Sequence, residues 1–91
     1  MDDTPGRETV ITAGAVRTLA DGAAREAGAH SPSTSLSSDD GAYNVSSRIK
    51  VPESGNFTEV ATRSRENIRR VLDDQGVPVK DVEVTVRGTA S

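Results

Sequence analysis

The sequence predicts an α+β domain: a two-layer α/β sandwich in βαββαβ order, with two helices on one face of a four-stranded sheet in a ferredoxin-like arrangement. Three observations carry this. Two segments, Thr12 to Gly28 and Asn56 to Gly76, repeat apolar residues at helical spacing between a capping residue and a glycine. Two others, Tyr43 to Val51 and Val82 to Val86, alternate apolar and polar residues with period two, as strands wet on one face do. Two amphipathic helices on such strands close into two layers around one core.

At 91 residues the chain holds one domain, expected over residues 7–88, with 1–6 a disordered tail and 89–91 a frayed one. The tail is polar and contains Pro5 and Gly6. A short strand is expected over Glu8–Thr12, with Val10 and Ile11 as its apolar content. Thr12 also suits the N-cap of the first helix, in which Val16, Leu19, Ala20, Ala23 and Ala27 form a narrow stripe of mostly small residues. Such a stripe lets a helix sit close to a sheet. Gly28 supplies the left-handed stop.

The segment "HSPSTSLSSDDGAY" has five serines and only Leu36 as a large aliphatic residue; it reads as a weak edge strand around Thr34–Ser37, where Pro32 is tolerable. Asp40-Gly41 signals a hairpin. Tyr43, Val45, Ser47, Ile49 and Val51 then alternate with Asn44, Ser46, Arg48 and Lys50. "VPESG" breaks the chain, and Asn56 with Glu59 matches a capping box. In the last strand Val82, Val84 and Val86 face inward, while Asp81, Glu83, Thr85 and Arg87 face outward.

The second helix packs Arg63, Arg65, Arg69 and Arg70 into eight positions. Advancing about 100° per residue puts Phe57, Val60, Ala61, Ser64, Ile68, Val71 and Leu72 on the core arc. Arg63 and Arg70 fall on one shoulder of that arc and Arg65 and Arg69 on the other, so no single basic stripe forms. Glu59, Glu66, Asp73 and Asp74 neutralise the helix. The expected pairs are Glu59–Arg63, Glu66–Arg70, Arg69–Asp73 and Arg70–Asp74, each at helical contact spacing. Asp73 and Asp74 lie at the negative end of the helix dipole, where acids are disfavoured. Arg63, Arg70, Asp73 and Asp74 are therefore the candidate partner-binding residues.

Other chemistry finds little support. His30 has Ser31, Ser33, Asp39 and Asp40 nearby, but side chains clustered in one loop do not set up the three-dimensional roles of a triad, and they make a poor metal site. No catalytic, cofactor-binding or metal-binding residue is assigned. With no cysteine, thiolate chemistry and disulfides are excluded. A net charge of −3 and a pI near 5.0 argue against a dedicated nucleic-acid binder, as does having only two aromatics, Tyr43 and Phe57. "MDDTPGRE" is not a secretory signal, and no run approaches the roughly 20 apolar residues of a membrane span. The expected location is cytoplasmic.

Three stretches together resemble the alkaline-shock family of envelope stress response proteins of Gram-positive bacteria. They are "GRETVITAGAVRTLADGAAREAG", the hairpin strand "YNVSSRIKVP", and the closing unit "NFTEVATRSRENIRRVLDDQGVPVKDVEVTV". The likeness spans Gly6 to Gly88. It departs from the family after the first helix, where "AGAHSPS" stands for a Val-Pro-Gly-Val phrase, and in a shorter, serine-rich middle. The resemblance implies a non-enzymatic cytoplasmic protein that needs no cofactor and serves cell-envelope homeostasis. It further implies protein partners, among them a small membrane-anchored protein, and self-association into a homo-oligomer. Direct membrane insertion is not expected. The alternative expectation is an RNA-associated α/β domain.

Overall fold

Thr12 and Asn56 start the two helices in the way their side chains predict. In the computed structural model, which describes residues 12–90, α1 spans Ala13–Glu26 and α2 spans Phe57–Asp74. Thr12 Oγ1 accepts the Ala15 amide at 3.1 Å, and Asn56 Oδ1 accepts the Glu59 amide at 2.9 Å. The capping box is half made, because the Glu59 carboxylate turns to Arg63 rather than back to Asn56. Both helices end in the same device. Gly28 (φ 101°) and Gly76 (φ 74°) take the left-handed conformation, and the residue after each donates back into the last turn, Ala29 to the Ala24 carbonyl and Val77 to that of Leu72. Ala29 and Val77 are buried, so each helix end is also sealed by an apolar contact.

Three strands make up the sheet: β1 (His30–Asp39), β2 (Ala42–Pro52) and β3 (Val79–Ala90), in spatial order β1-β2-β3. β1 and β2 are antiparallel, joined at Asp40 (φ 54°) and Gly41 (φ 81°), two positive φ values in succession that define a type I′ turn. β2 and β3 are parallel, connected through α2. α1 lies over β1, α2 lies over β3, and the helices pack on each other.

The described residues thus run αββαβ with three strands, where the sequence predicts βαββαβ with four. The expected strand Glu8–Thr12 lies outside the described residues except for Thr12, which is the cap of α1. The ferredoxin-like arrangement is replaced as well. That topology splits its βαβ unit by placing another strand between the parallel pair, whereas here β2 and β3 bond directly. Direct pairing sets Val45 beside Val82 and Ile49 beside Val86, which joins two apolar rows into one inner face.

Inside, Val16, Ala20 and Ala24 of α1 meet Val45, Ile49 and Val51 of β2, with Ile68 and Leu72 of α2 closing the other side. Each fully buried valine, leucine or isoleucine contributes about 1.5–3 kcal/mol. Phe57 departs from the predicted core arc: it stands at the first position of α2 and is 42% exposed. Two bulges re-phase β3. One extra residue between the pairs Tyr43–Val79 and Asn44–Asp81 lets Val79 and Val82, an odd number of positions apart, both face the core. A second bulge at Arg87 follows Val86, and the strand continues to Ala90.

Three polar side chains, those of Thr34, Ser47 and Ser64, lie among these apolar ones. Ser47 and Ser64 are each fully buried. Thr34 Oγ1 lies 2.6 Å from Asp21 Oδ1 and 3.2 Å from Ser47 Oγ. A hydroxyl carries one proton, so Thr34 donates to the carboxylate and Ser47 donates to Thr34. This chain ties α1 to β1 and β2. Ser64 Oγ has no partner.

Candidate interaction surface

The four arginines of α2 divide as the helical projection predicts, but their partners differ. Arg63 pairs with Glu59 at 2.7 Å, with both side chains more than half exposed. The other three expected pairs, Glu66–Arg70, Arg69–Asp73 and Arg70–Asp74, do not form among the described residues. Arg65 Nε instead donates to the Val82 carbonyl and Arg69 to the Lys80 carbonyl, each at 3.2 Å. Arg70 donates to Asn67 Oδ1, while Asn67 Nδ2 donates to the Ala23 carbonyl at 3.0 Å and bridges the two helices. An exposed ion pair is worth little against solvent, so a fixed carbonyl on a neighbouring strand competes well for a guanidinium.

The predicted partner-binding residues lie together on the outer side of α2. Arg63 and Arg70 line an open hollow of about 440 Å³ with Glu26 and Ala27 from the end of α1. Arg70 also borders a second hollow of about 340 Å³ that contains Asp73 and Asp74. All four are exposed. The last turn of α2 holds no base, so the two aspartates keep their unfavourable place at the dipole's negative end.

A second surface emerges only when the strands are assembled. The face of the sheet away from the helices is polar across all three strands and uncovered by any described element. Its rows follow from the register. Near the hairpin, Ser37, Asn44 and Asp81 stand side by side, then Ser35, Ser46 and Glu83. Farther along come Ser33, Arg48 and Thr85, and then His30 and Lys50, beside the bulged Arg87. Arg87 crosses to the bulge in β1 and donates to the Ser31 carbonyl at 3.2 Å. At the other end Lys80, raised by its own bulge, binds Asp39 at 2.7 Å. The face is therefore bipolar: Asp81 and Glu83 at the hairpin end, Arg48, Lys50 and Arg87 at the far end.

A broad hollow of about 750 Å³ runs along the acidic half, lined by Ser35, Ser37, Asn44, Ser46, Asp81 and Glu83 with the intervening Leu36, Val45, Val82 and Val84, and by Arg65 of α2. The sequence carries the outward-facing half of this pattern in each strand's alternation. It does not carry the juxtaposition, because Lys50 and Arg87 are far apart along the chain and come side by side only through the parallel pairing of β2 and β3. Among the described residues no group of three or more metal-ligating side chains occurs, and no helix is long and apolar enough to cross a membrane. Compared with known proteins, the chain matches no family model, no curated protein and no solved structure.

Proposed function

We propose that this protein is a small non-enzymatic interaction module that works through protein–protein contacts in the cell-envelope stress response, beside a membrane-anchored partner. The observation that supports the interaction role is the bipolar outer face of the sheet. Three strands present a broad polar surface whose charges are separated by sign, an arrangement that steers and orients a partner of opposite polarity. The envelope connection rests on the family resemblance. Arg63, Arg70, Asp73 and Asp74 form a second contact region on the outer side of α2.

The test is fractionation and binding together. With the anchored partner present the protein is expected in the membrane fraction, and without it in the soluble fraction. The double variant Arg48→Glu/Lys50→Glu is expected to lose membrane association while keeping its circular dichroism spectrum. Sedimentation of the pure protein with protein-free anionic liposomes would overturn the reading.

One observation favours a second reading. His30, Arg48, Lys50 and Arg87 gather on one face of an otherwise acidic chain, as an RNA-associated domain requires. RNA affinity that falls steeply between low and moderate salt, and falls further in the Arg48→Glu/Lys50→Glu variant, would establish it.

A further inference from the structure

The two edges of the sheet are built differently. β3 carries the features that discourage pairing with another strand. Arg65 and Arg69 lay their guanidinium groups on its Val82 and Lys80 carbonyls, two bulges break its ladder, and Lys80, Asp81, Glu83 and Arg87 charge it along its length.

β1 has almost none of these. From Ser33 to Ser38 it bears no charge, and its register with β2 is unbroken from Ser33 to Asp39. The bulge at Ser31 (φ 47°) and Pro32 confine the regular stretch to one side of that point. No described element lies along its outer edge. An edge strand leaves alternate amides and carbonyls without partners on that side. Above this edge Leu19 of α1 and Leu36 of β1 are only half-covered.

We propose that β1 pairs antiparallel with β1 of a second copy about a two-fold axis at Ser35, giving a continuous six-stranded sheet with four helices on one side. The side chains fit this operator. Ser33-Thr34-Ser35-Leu36-Ser37 reads nearly the same in both directions about its centre. Ser33 falls opposite Ser37, Thr34 opposite Leu36, and Ser35 opposite itself, so hydroxyls stay on the outer face and Leu36 gains an inner-face neighbour. The charges fit as well. Each copy's hairpin end holds Asp40 beside the Asp39–Lys80 pair, with Asp81 behind it, and its far end holds His30, Lys50 and Arg87. Antiparallel pairing brings the acidic end of one copy to the basic end of the other, twice, in the self-complementary manner of an isologous interface. The Ser35 side chain is exposed, so changing it leaves the monomer core untouched.

A residue on a two-fold axis meets itself, and this makes the test sharp. Sedimentation equilibrium of the wild-type protein at low salt is expected to show a monomer–dimer equilibrium. Ser35→Lys and Ser35→Asp, each placing like charges directly opposite, are each expected to weaken association roughly fivefold or more. An equimolar mixture of the two variants is expected to dimerise again, as heterodimers. Hydrogen exchange adds a second readout: amides of Ser33–Ser38 gain protection as concentration rises. A wild type that stays monomeric up to about 1 mM, a regime in which even weak pairing registers, would overturn the proposal. So would single variants that dimerise like the wild type, a mixture that remains monomeric, or β1 amides whose protection is independent of concentration.

Discussion

Ser47 and Ser64 pose the same substitution in two settings and should answer with opposite signs. Both side chains are fully buried, but Ser47 donates to Thr34 at 3.2 Å while Ser64 Oγ has no partner. Ser64→Ala removes a hydroxyl whose burial costs about 1–3 kcal/mol when unpaired, and it places a better helix former in the middle of α2, worth up to about 0.5 kcal/mol. The lost packing of one atom offsets part of that gain. The net expectation is a stabilisation of about 1 kcal/mol, or a rise in Tm of about 4–8 °C for a domain of this size. Ser47→Ala removes a working hydrogen bond in the central strand and is expected to destabilise by about 1 kcal/mol. Urea titration followed by far-ultraviolet circular dichroism separates them, because with an m value of about 1 kcal/mol/M the midpoints move by roughly 1 M in opposite directions. If Ser64→Ala lowers the midpoint, or if both variants shift it the same way, the assignment of Ser64 as an unpaired buried hydroxyl is wrong.

Gly28→Ala and Gly76→Ala should each cost about 1–2 kcal/mol by thermal melting, through left-handed strain alone, since an added Cβ meets nothing closer than Val60 Cγ2 at 4.0 Å at Gly28 and nothing within 4 Å at Gly76. Asn67→Ala cuts the bridge from α2 to the Ala23 carbonyl and is expected to lower stability by about 1 kcal/mol, read as a shifted urea midpoint. Charge reversal at Arg63 and Arg70 should leave the fold intact and weaken partner binding in a pull-down titration; unchanged binding removes that side of α2 from the interface.

Local rules placed most elements correctly. Thr12, Asn56, Gly28, Gly76 and the Asp40-Gly41 turn act through neighbours a few residues away, and such chemistry is visible in a linear chain. Pairing is not. Whether β3 lies beside β2 or one strand removed depends on contacts nearly forty positions apart, and the alternation of Val82, Val84 and Val86 suits either arrangement. The bulge that turns Val79 inward leaves no local signature. Phe57 satisfies the helical arc, yet at the first position of α2 it stands 42% exposed, so a period alone overstates the core. The arginines of α2 show the same limit: spacing identified acidic neighbours on the helix and could not anticipate carbonyls offered by β3. The basic end of the outer face was hidden for this reason too.

Direct parallel pairing of β2 with β3 also predicts an order in time. The β1–β2 hairpin closes over a two-residue turn, which requires little loop-closure entropy and takes microseconds. β3 is added only after the chain has run through the whole of α2, so its docking is the non-local, slower event. The Lys80–Asp39 and Arg87–Ser31 contacts both join β3 to β1 across β2, and neither exists until β3 arrives. They act as latches on the last step. Weakening them should speed unfolding far more than it slows folding.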